Sequence, residues 1–540
     1  MASNWKAETL DRIQNKYFES EEHDRVVRCL LSYKTPLEHK KVEQAIISLV
    51  KSIPILNSTF QDNDGKFFWN ARTNDFSGLF NAWSTFDPFY QDFLNYPDPH
   101  NHPQITVMVC SNNIGFRANG MLIDVFALKA IVARFCEIYN NLDNKLFHSK
   151  LNKPHGRSAN ELLKHISFSK KTFASLGLKK LSNAGFNKIK INFEQKPDVS
   201  VPWIVTEDFY GSEVKKLYEI ASKYKTTVEN IMLAAYHRTI AETLKQRNVP
   251  INVGRQFDVR ECANGGDYVS YNNSYTILPF VIQISDNEPF VETLRKITDI
   301  NTQIDKANLV SKNFLKYHKF YSTTEYFQFA SMHEVTNEMF NLDDNIVYEA
   351  FFTTPARYLP YLSISLTALE KKAIYLASCN YTTTDDLTNV TYFLAWLKYE
   401  VRTFIDSEDK NIYKNWDDSK ERASIFDKKY ESAVVDIAKI DKVSQPASAK
   451  SSSLKKAKTS SKAKKPVVVH HHATTNTTSS KDHWTAEQKE LAKKYEKISG
   501  QHLEEGKNGK VKYKIKGKDA YQQRTWAEIK KFVEYKTSKK

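Results

Sequence analysis

The sequence predicts an α+β protein built as two similar mixed-sheet halves, followed by a disordered basic linker and a small basic α/β module. Three observations carry that expectation. Strand-like and helix-like patterns intermix and recur in two halves of about two hundred residues each. Aromatic and aliphatic residues are spread through the first 440 positions without a low-complexity tract, as in a chain that folds. The positive charge is segregated: residues 441–540 hold 25 Lys and Arg against 10 Asp and Glu, leaving 53 of each in residues 1–440. At 540 residues the chain is too long for a single core. The expected boundaries are 1–195 and 196–440 for the two halves, 441–480 for the linker and 481–540 for the module.

In chain order, VVRCLLSY at 26–33 reads as a strand. A helix follows with Val42, Ala45, Ile46 and Val50 on one face, closed by Pro54. Ile105, Val107 and Val109 alternate in QITVMVC, and Ile114, Phe116 and Ala118 alternate after it, which predicts a buried hairpin. Leu128, Ile131, Val132, Phe135 and Tyr139 then recur at helical spacing. Asp124 therefore falls in the turn just before a helix, where a carboxylate is read as an N-cap.

The second half begins near residue 200 after a polar, Lys-rich connector. EVKKLYEIASKYKTTVENIMLAAYHRTIAETL holds two helical patterns, and Thr226 with Glu229 has the spacing of a capping box between them. TILPFVIQI at 276–284 reads as a strand, FVETLRKITDI as a helix, and LSISLTAL with AIYLASCNY as a strand pair. A last helix opens at TTTDDL with a Thr/Asp cap.

Cys29, Cys110, Cys136, Cys262 and Cys379 lack the close pairing of zinc or redox motifs, so no metal site is expected. The polar start MASNWKAETLDR has no apolar core for a signal peptide, and no apolar run is long enough to cross a bilayer. An intracellular setting, cytoplasm or nucleus, is the expectation.

The arrangement over residues 1–404 resembles the superfamily of CoA-dependent acyltransferases and condensation domains, which includes chloramphenicol acetyltransferase. The resemblance lies in SIPILNSTF at 52–60, FRANGMLID at 116–124 followed by a helix, KTTVENIMLAAYHRTIAETL at 225–244, NVGRQFDVREC at 252–262 before YNNSYTILPFVI, and PYLSISLTALEKKAIYLASCNYTTTDDL at 360–387. It implies two similar halves around a central tunnel, CoA or an acyl-CoA as ligand, and transfer of an acyl group to an alcohol or amine. In that family a strand delivers His-His-x-x-x-Asp-Gly into the tunnel, and the second His is the general base. Setting that Asp on Asp124 places Asn119 at the first His and Gly120 at the second, and Val125 where the last Gly would stand. Gly carries no titratable group, and a positioned base contributes about 10²–10⁴-fold. His237, His318 and His333 are histidines elsewhere in the second half, and nothing in the sequence brings them to this loop; His237, beside Tyr236 on a helix, reads as a surface or core residue. Arg260 matches a family position that makes a structural ion pair, and TTPARYLPY at 353–361 lies where the family has a second motif but lacks its signature.

The tail reads separately. Residues 443–480, including SSSLKKAKTSSKAKKP and HHH at 470–472, are too polar to bury a core. Lys455, Lys456, Lys458, Lys462, Lys464 and Lys465 resemble a loose two-part nuclear import signal, and the three histidines alone do not make a metal site. WTAEQKELAKKYEKI reads as a helix capped by Thr485, VKYKIKG as a strand and RTWAEIKKFVEYK as a second helix. On an extended VKYKIKGK, Lys512, Lys514, Lys516 and Lys518 share one face and suit a phosphate backbone. Trp484 and Trp526, at helix starts, read as core before they read as base-stacking platforms. The expected partner is nucleic acid or another polyanion; an acidic protein, an anionic membrane surface or a purely solubilising role are the alternatives. The whole reads as a catalytically inactive acyltransferase-like scaffold or binding protein with a nucleic-acid-contacting module, the alternative being a working acyltransferase without the usual base.

Overall fold

VVRCLLSY forms a strand with all eight residues buried, because it lies inside a sheet with a paired strand on each side. The computed structural model describes residues 4–8, 11–12, 24–63, 66–95, 98–144, 155–166, 201–264, 269–317, 327–358 and 361–410, then 486–499, 503–505, 511–514 and 521–524, with the single positions 147 and 529. The chain divides into two units, residues 1–435 and 436–540, each taken by itself below.

The first unit opens with β1 (Asn4–Lys6), β2 (Val26–Tyr33) and α1 (His39–Ser52). Val42, Ala45, Ile46, Leu49 and Val50 of α1 are buried at the predicted helical spacing, each stabilising by roughly 1–3 kcal/mol. Pro54 ends α1 and starts a 3-10 turn at Pro54–Asn57, since proline has no N–H for the helix ladder but suits a first turn. β3 (Ser58–Asn63), β4 (Lys66–Ala71), β5 (Phe80–Trp83), α2 (Phe86–Leu94), β6 (Ile105–Cys110), β7 (Asn113–Asn119), α3 (Val125–Asn140) and α4 (Ala159–Lys164) follow. The β6–β7 hairpin forms where predicted, yet every residue of β6 is buried rather than every second one. Gly115 shows one reason: a Cβ there would lie 2.8 Å from the Phe93 ring, so its absence lets α2 settle on the sheet.

The later part contributes β8 (Val201–Tyr210), α5 (Ser212–Lys223), α6 (Val228–Thr243), β9 (Pro250–Asp258), a 3-10 turn at Val259–Cys262, β10 (Tyr275–Gln283), α7 (Phe290–Lys306) and α8 (Leu309–Tyr317). β11 (Phe327–Val335), β12 (Val347–Thr353), β13 (Arg357–Tyr358), β14 (Leu362–Leu369), β15 (Ala373–Thr382) and α9 (Thr384–Lys410) complete it. The expected Thr226–Glu229 capping box is displaced by one residue. Lys225 turns left-handed at φ 50° and the Thr226 N–H closes onto the Ala221 carbonyl, so the end of α5 consumes Thr226. Thr227 caps α6 instead, accepting from the Asn230 N–H at 3.2 Å. Thr383 opens α9 in the same way, accepting from the Asp386 N–H at 3.2 Å.

Among the described residues, three sheets form the unit. One has the order β1-β4-β3, and a second has β12-β2-β7-β6-β5. The third runs β10-β9-β11-β14-β15-β13, with β8 also pairing β15. β12 comes from the second half but pairs antiparallel with β2, Phe352 opposite Cys29, so the first-half sheet is completed by the second half's chain. This is a mixed α+β architecture with parallel and antiparallel strands in the two larger sheets.

In the second unit, α10 (Ala486–Ser499) precedes an antiparallel sheet of β16 (Leu503–Glu505), β17 (Val511–Lys514) and β18 (Tyr521–Arg524). The helix and the strand at VKYK were predicted; β16 and β18 were not, because runs of three or four residues are too short to carry a periodic signal. β18 runs to Arg524, so the helix expected from Arg524 cannot begin there; of its remainder only Ile529 is described, and it is helical. Lys512 and Lys514 lie on β17. Lys455, Lys456, Lys458, Lys462, Lys464, Lys465, Lys516 and Lys518, with Trp484, Thr485, Trp526 and the three histidines at 470–472, lie outside the described residues.

Candidate functional site

The loop between β7 and α3 is spelled NGMLID, and its polar atoms are turned inward. Asn119 is buried; its Nδ2 donates to Gln104 Oε1 at 2.7 Å and its Oδ1 accepts from the Met121 N–H at 2.9 Å, folding the loop over itself. The Gly120 N–H donates to the Arg25 carbonyl at the start of β2. Met121, Leu122 and Ile123 are wholly buried, and the second half reaches across to their backbone: Asn273 Nδ2 donates to the Met121 carbonyl at 2.7 Å. From the connector, Arg157 donates to the Leu122 carbonyl at 2.6 Å while its guanidinium pairs with buried Asp11 at 2.8 Å.

Asp124 ends the loop as the N-cap of α3, and both its oxygens are engaged. Oδ1 accepts from the Ala127 N–H at 2.7 Å and from Arg260 at 2.6 Å. Oδ2 accepts from the Ser274 N–H at 2.7 Å. Arg260 also donates to Asp258 Oδ1 at 2.8 Å and to the Asn272 carbonyl at 3.0 Å. Burial pushes the Asp124 carboxyl up and Arg260 opposes it; against its own burial, Asp124 and Asp258 hold the Arg260 guanidinium above its ordinary value. Asn119, Gly120, Asp124 and Arg260 thus meet at one place, and what they build there is a brace between the two halves.

The histidines stand apart from this brace. His237 is buried within α6, with Nδ1 2.9 Å from the Leu233 carbonyl and Nε2 2.9 Å from the Phe280 carbonyl, and burial pushes its basicity down. His318 lies outside the described residues. His333 lies on β11 between Glu229 and Glu261. The stretch at 353–361, described except for 359–360, is stitched to β15: Asn380 donates to the carbonyls of Arg357 at 3.2 Å and Tyr361 at 2.7 Å.

Sequence reasoning missed a second cluster on the neighbouring strands. Arg28 of β2 and Arg117 of β7 face each other in register and are buried. Asp24 takes one guanidinium and Asp92 the other, at 2.8 Å for Arg117. Arg28 also donates to the carbonyls of Phe93 at 3.1 Å and Leu94 at 2.7 Å, and reaches Cys379 Sγ of β15 at 3.9 Å. Burial pushes the Asp24 carboxyl up, with Arg28 opposing. The available signal was a lone charge inside an apolar strand, four residues after an aspartate. Among the described residues, no group of three His, Cys, Asp or Glu side chains is disposed to hold a metal ion, and no helix is long and apolar enough to cross a membrane.

No protein-family model and no curated protein sequence matches the chain. Solved structures do. Polyketide synthase associated protein 5 from Mycobacterium tuberculosis superimposes with a TM-score of 0.55 at 10% identity, covering 76% of this chain and 100% of that one. The TRI3 trichothecene 15-O-acetyltransferase from Fusarium sporotrichioides gives 0.57 at 13% identity, covering 75% and 96%. The starter condensation domain of rhizomide synthetase RzmA, solved with C8-CoA and Leu-SNAC, gives 0.56 at 11% identity, again covering 75% and 96%. Coverage of nearly the whole length of each neighbour, with the interlocked sheets described above, shows that the larger part of this chain has the fold of condensation domains and CoA-dependent acyltransferases.

Proposed function

We propose that this acyltransferase-like body is a catalytically silent scaffold or binding unit, and that the basic C-terminal part contacts nucleic acid. The observation that carries the first half is the engagement of the 119–124 loop. Gly120 has no group to accept a proton, and the Asp124 carboxylate is held by two backbone N–H groups and Arg260. The side chain of Asn119 is used at both ends within the loop and with Gln104. Acyl transfer through this loop has no base to remove the acceptor's proton as the carbon–sulfur bond of a thioester breaks, so it would lack about 10²–10⁴-fold. A thioester can still be bound.

The test is to titrate the full chain with CoA and acetyl-CoA by calorimetry and to follow thiol release with alcohol and amine acceptors. Saturable binding without turnover is expected, and no turnover should appear in Gly120→His. Robust turnover by the wild type would overturn the proposal. The second half rests on the segregated charge of residues 441–540, 25 cations against 10 anions. The full chain should shift both DNA and RNA at low salt and lose that binding steeply as salt rises. A chain ending at residue 435 that shifts them equally well would remove the tail from the reading.

A further inference from the structure

Asn119 is followed by Gly120, and an asparagine before a glycine can react with its own backbone. The glycine has no Cβ to shield its nitrogen, and it lets the chain take the bend that the reaction needs. The Gly120 nitrogen attacks Asn119 Cγ; the new N–Cγ bond forms as the Cγ–Nδ2 bond breaks, and Nδ2 leaves as ammonia with the Gly120 proton. Water then opens the cyclic imide at one of its two carbonyls and gives aspartate or isoaspartate, so the net change is water in and ammonia out. In the folded loop the atoms that must move are held. The Gly120 N–H donates to the Arg25 carbonyl, Nδ2 donates to Gln104 Oε1 at 2.7 Å, and Oδ1 accepts from the Met121 N–H at 2.9 Å. The Asn119 carbonyl accepts from the Leu122 and Ile123 N–H groups at 2.9 and 3.2 Å. Asn119 is 6% exposed, which also keeps out the water that would open the ring. A second such step in the chain is the opposite case: Asn264, also followed by glycine, is exposed.

We propose that Asn119–Gly120 is a modification site guarded by the fold: the closed loop blocks deamidation, and each opening of the loop exposes the pair to a one-way change. Asn119 pairs in register with Val26 at the last position of β7, so the site sits where the ladder stops and the loop begins. A loop whose Asn119 has become aspartate cannot close as before. Gln104 donates through Nε2 to the carbonyls of Ser58 at 2.8 Å, Pro99 at 3.1 Å and His102 at 3.2 Å, so turning its amide round would give up all three. Its Oε1 therefore faces position 119, and a carboxylate there sets acceptor against acceptor in a buried place. Isoaspartate instead adds a methylene to the main chain between β7 and Met121. Either product weakens the loop that leads to Asp124 and its contacts with Arg260 and Ser274. No ligand is needed for the change.

Trypsin, cutting after Arg117 and Lys129, releases ANGMLIDVFALK, residues 118–129, in which Asn119 carries the single side-chain amide. The full chain is incubated in native buffer and in urea above its unfolding transition, and deamidation of this peptide is followed by mass spectrometry. Fragment spectra follow Asn264 in the same samples. Asn119 should convert at least about tenfold more slowly in the native chain than in the unfolded one, while Asn264 converts in both. Equal rates at Asn119 in the two states, or no conversion in the unfolded chain, would overturn the proposal. The product is tested with Asn119→Asp, which should melt about 2–4 °C below the wild type. Equal melting temperatures would mean that the loop accepts the modified residue, and the one-way step would fall. The wild-type comparison decides whether or not this variant folds.

Discussion

Arg28 and Arg117 lie directly opposite each other on the antiparallel β2 and β7, both buried, and each guanidinium is neutralised by an aspartate from outside the ladder. Like charges facing across a sheet repel, and burial adds a desolvation cost, so the pair persists only because Asp24, Asp92 and the carbonyls of Phe93 and Leu94 meet it. The cluster sits on the face of the first-half sheet that meets Cys379 of the second half.

Asp24→Asn should therefore destabilise the protein by about 3–5 kcal/mol, because it leaves a buried guanidinium facing another with one counter-charge between them. Denaturant unfolding of the full chain measures this. A loss under about 1 kcal/mol, the range of exposed pairs, would mean that the arginines find other partners.

Asp124→Ala removes the cap of α3 and the carboxylate that Arg260 and the Ser274 N–H share. The expected cost is about 3–5 kcal/mol, with Asp124→Asn milder because an amide oxygen still caps a helix. A double-mutant cycle with Arg260→Ala should show a coupling of about 1–3 kcal/mol. Independent effects of the two substitutions would separate the cap from the ion pair.

Glu229 has a lowered carboxyl, about 2 against an ordinary 4.5. A depressed folded-state value means that its stabilisation is present above about pH 4.5 and is lost as pH falls toward 2. Up to about 3 kcal/mol of acid-labile stability follows from a shift of that size. Unfolding measured between those pH limits should fall less steeply in Glu229→Gln than in the wild type, and parallel curves would refute the assignment.

Gly115→Ala places a methyl 2.8 Å from the Phe93 ring, against buried aromatic packing that cannot swing aside. The expected loss is about 1–3 kcal/mol, read as a fall in melting temperature, and Phe93→Leu in the same chain should recover part of it.

Much of the fold was legible along the chain. α1 and α3 show their buried faces at three- and four-residue spacing, and the β6–β7 and β14–β15 pairs show β-branched and aliphatic runs, because these periods follow from local backbone geometry. Asp124 was readable as an N-cap for the same reason: its Ala127 partner is three residues away. The capping box was misplaced because Thr226 and Thr227 are alike in sequence, and the left-handed turn at Lys225 that selects between them depends on how α5 ends.

By itself, then, the sequence determined several of the strands and helices, where charge would gather, and that position 120 bears no proton-accepting group, since each of these is a property of residue type and short-range sterics. Only the tertiary structure decided that β12 completes the sheet begun by β2, that Arg260 meets Asp124 from 136 residues away, and that His333 stands between Glu229 and Glu261. Those partners are chosen by burial and charge compensation between distant segments, which exist as a relation only once the chain has closed on itself.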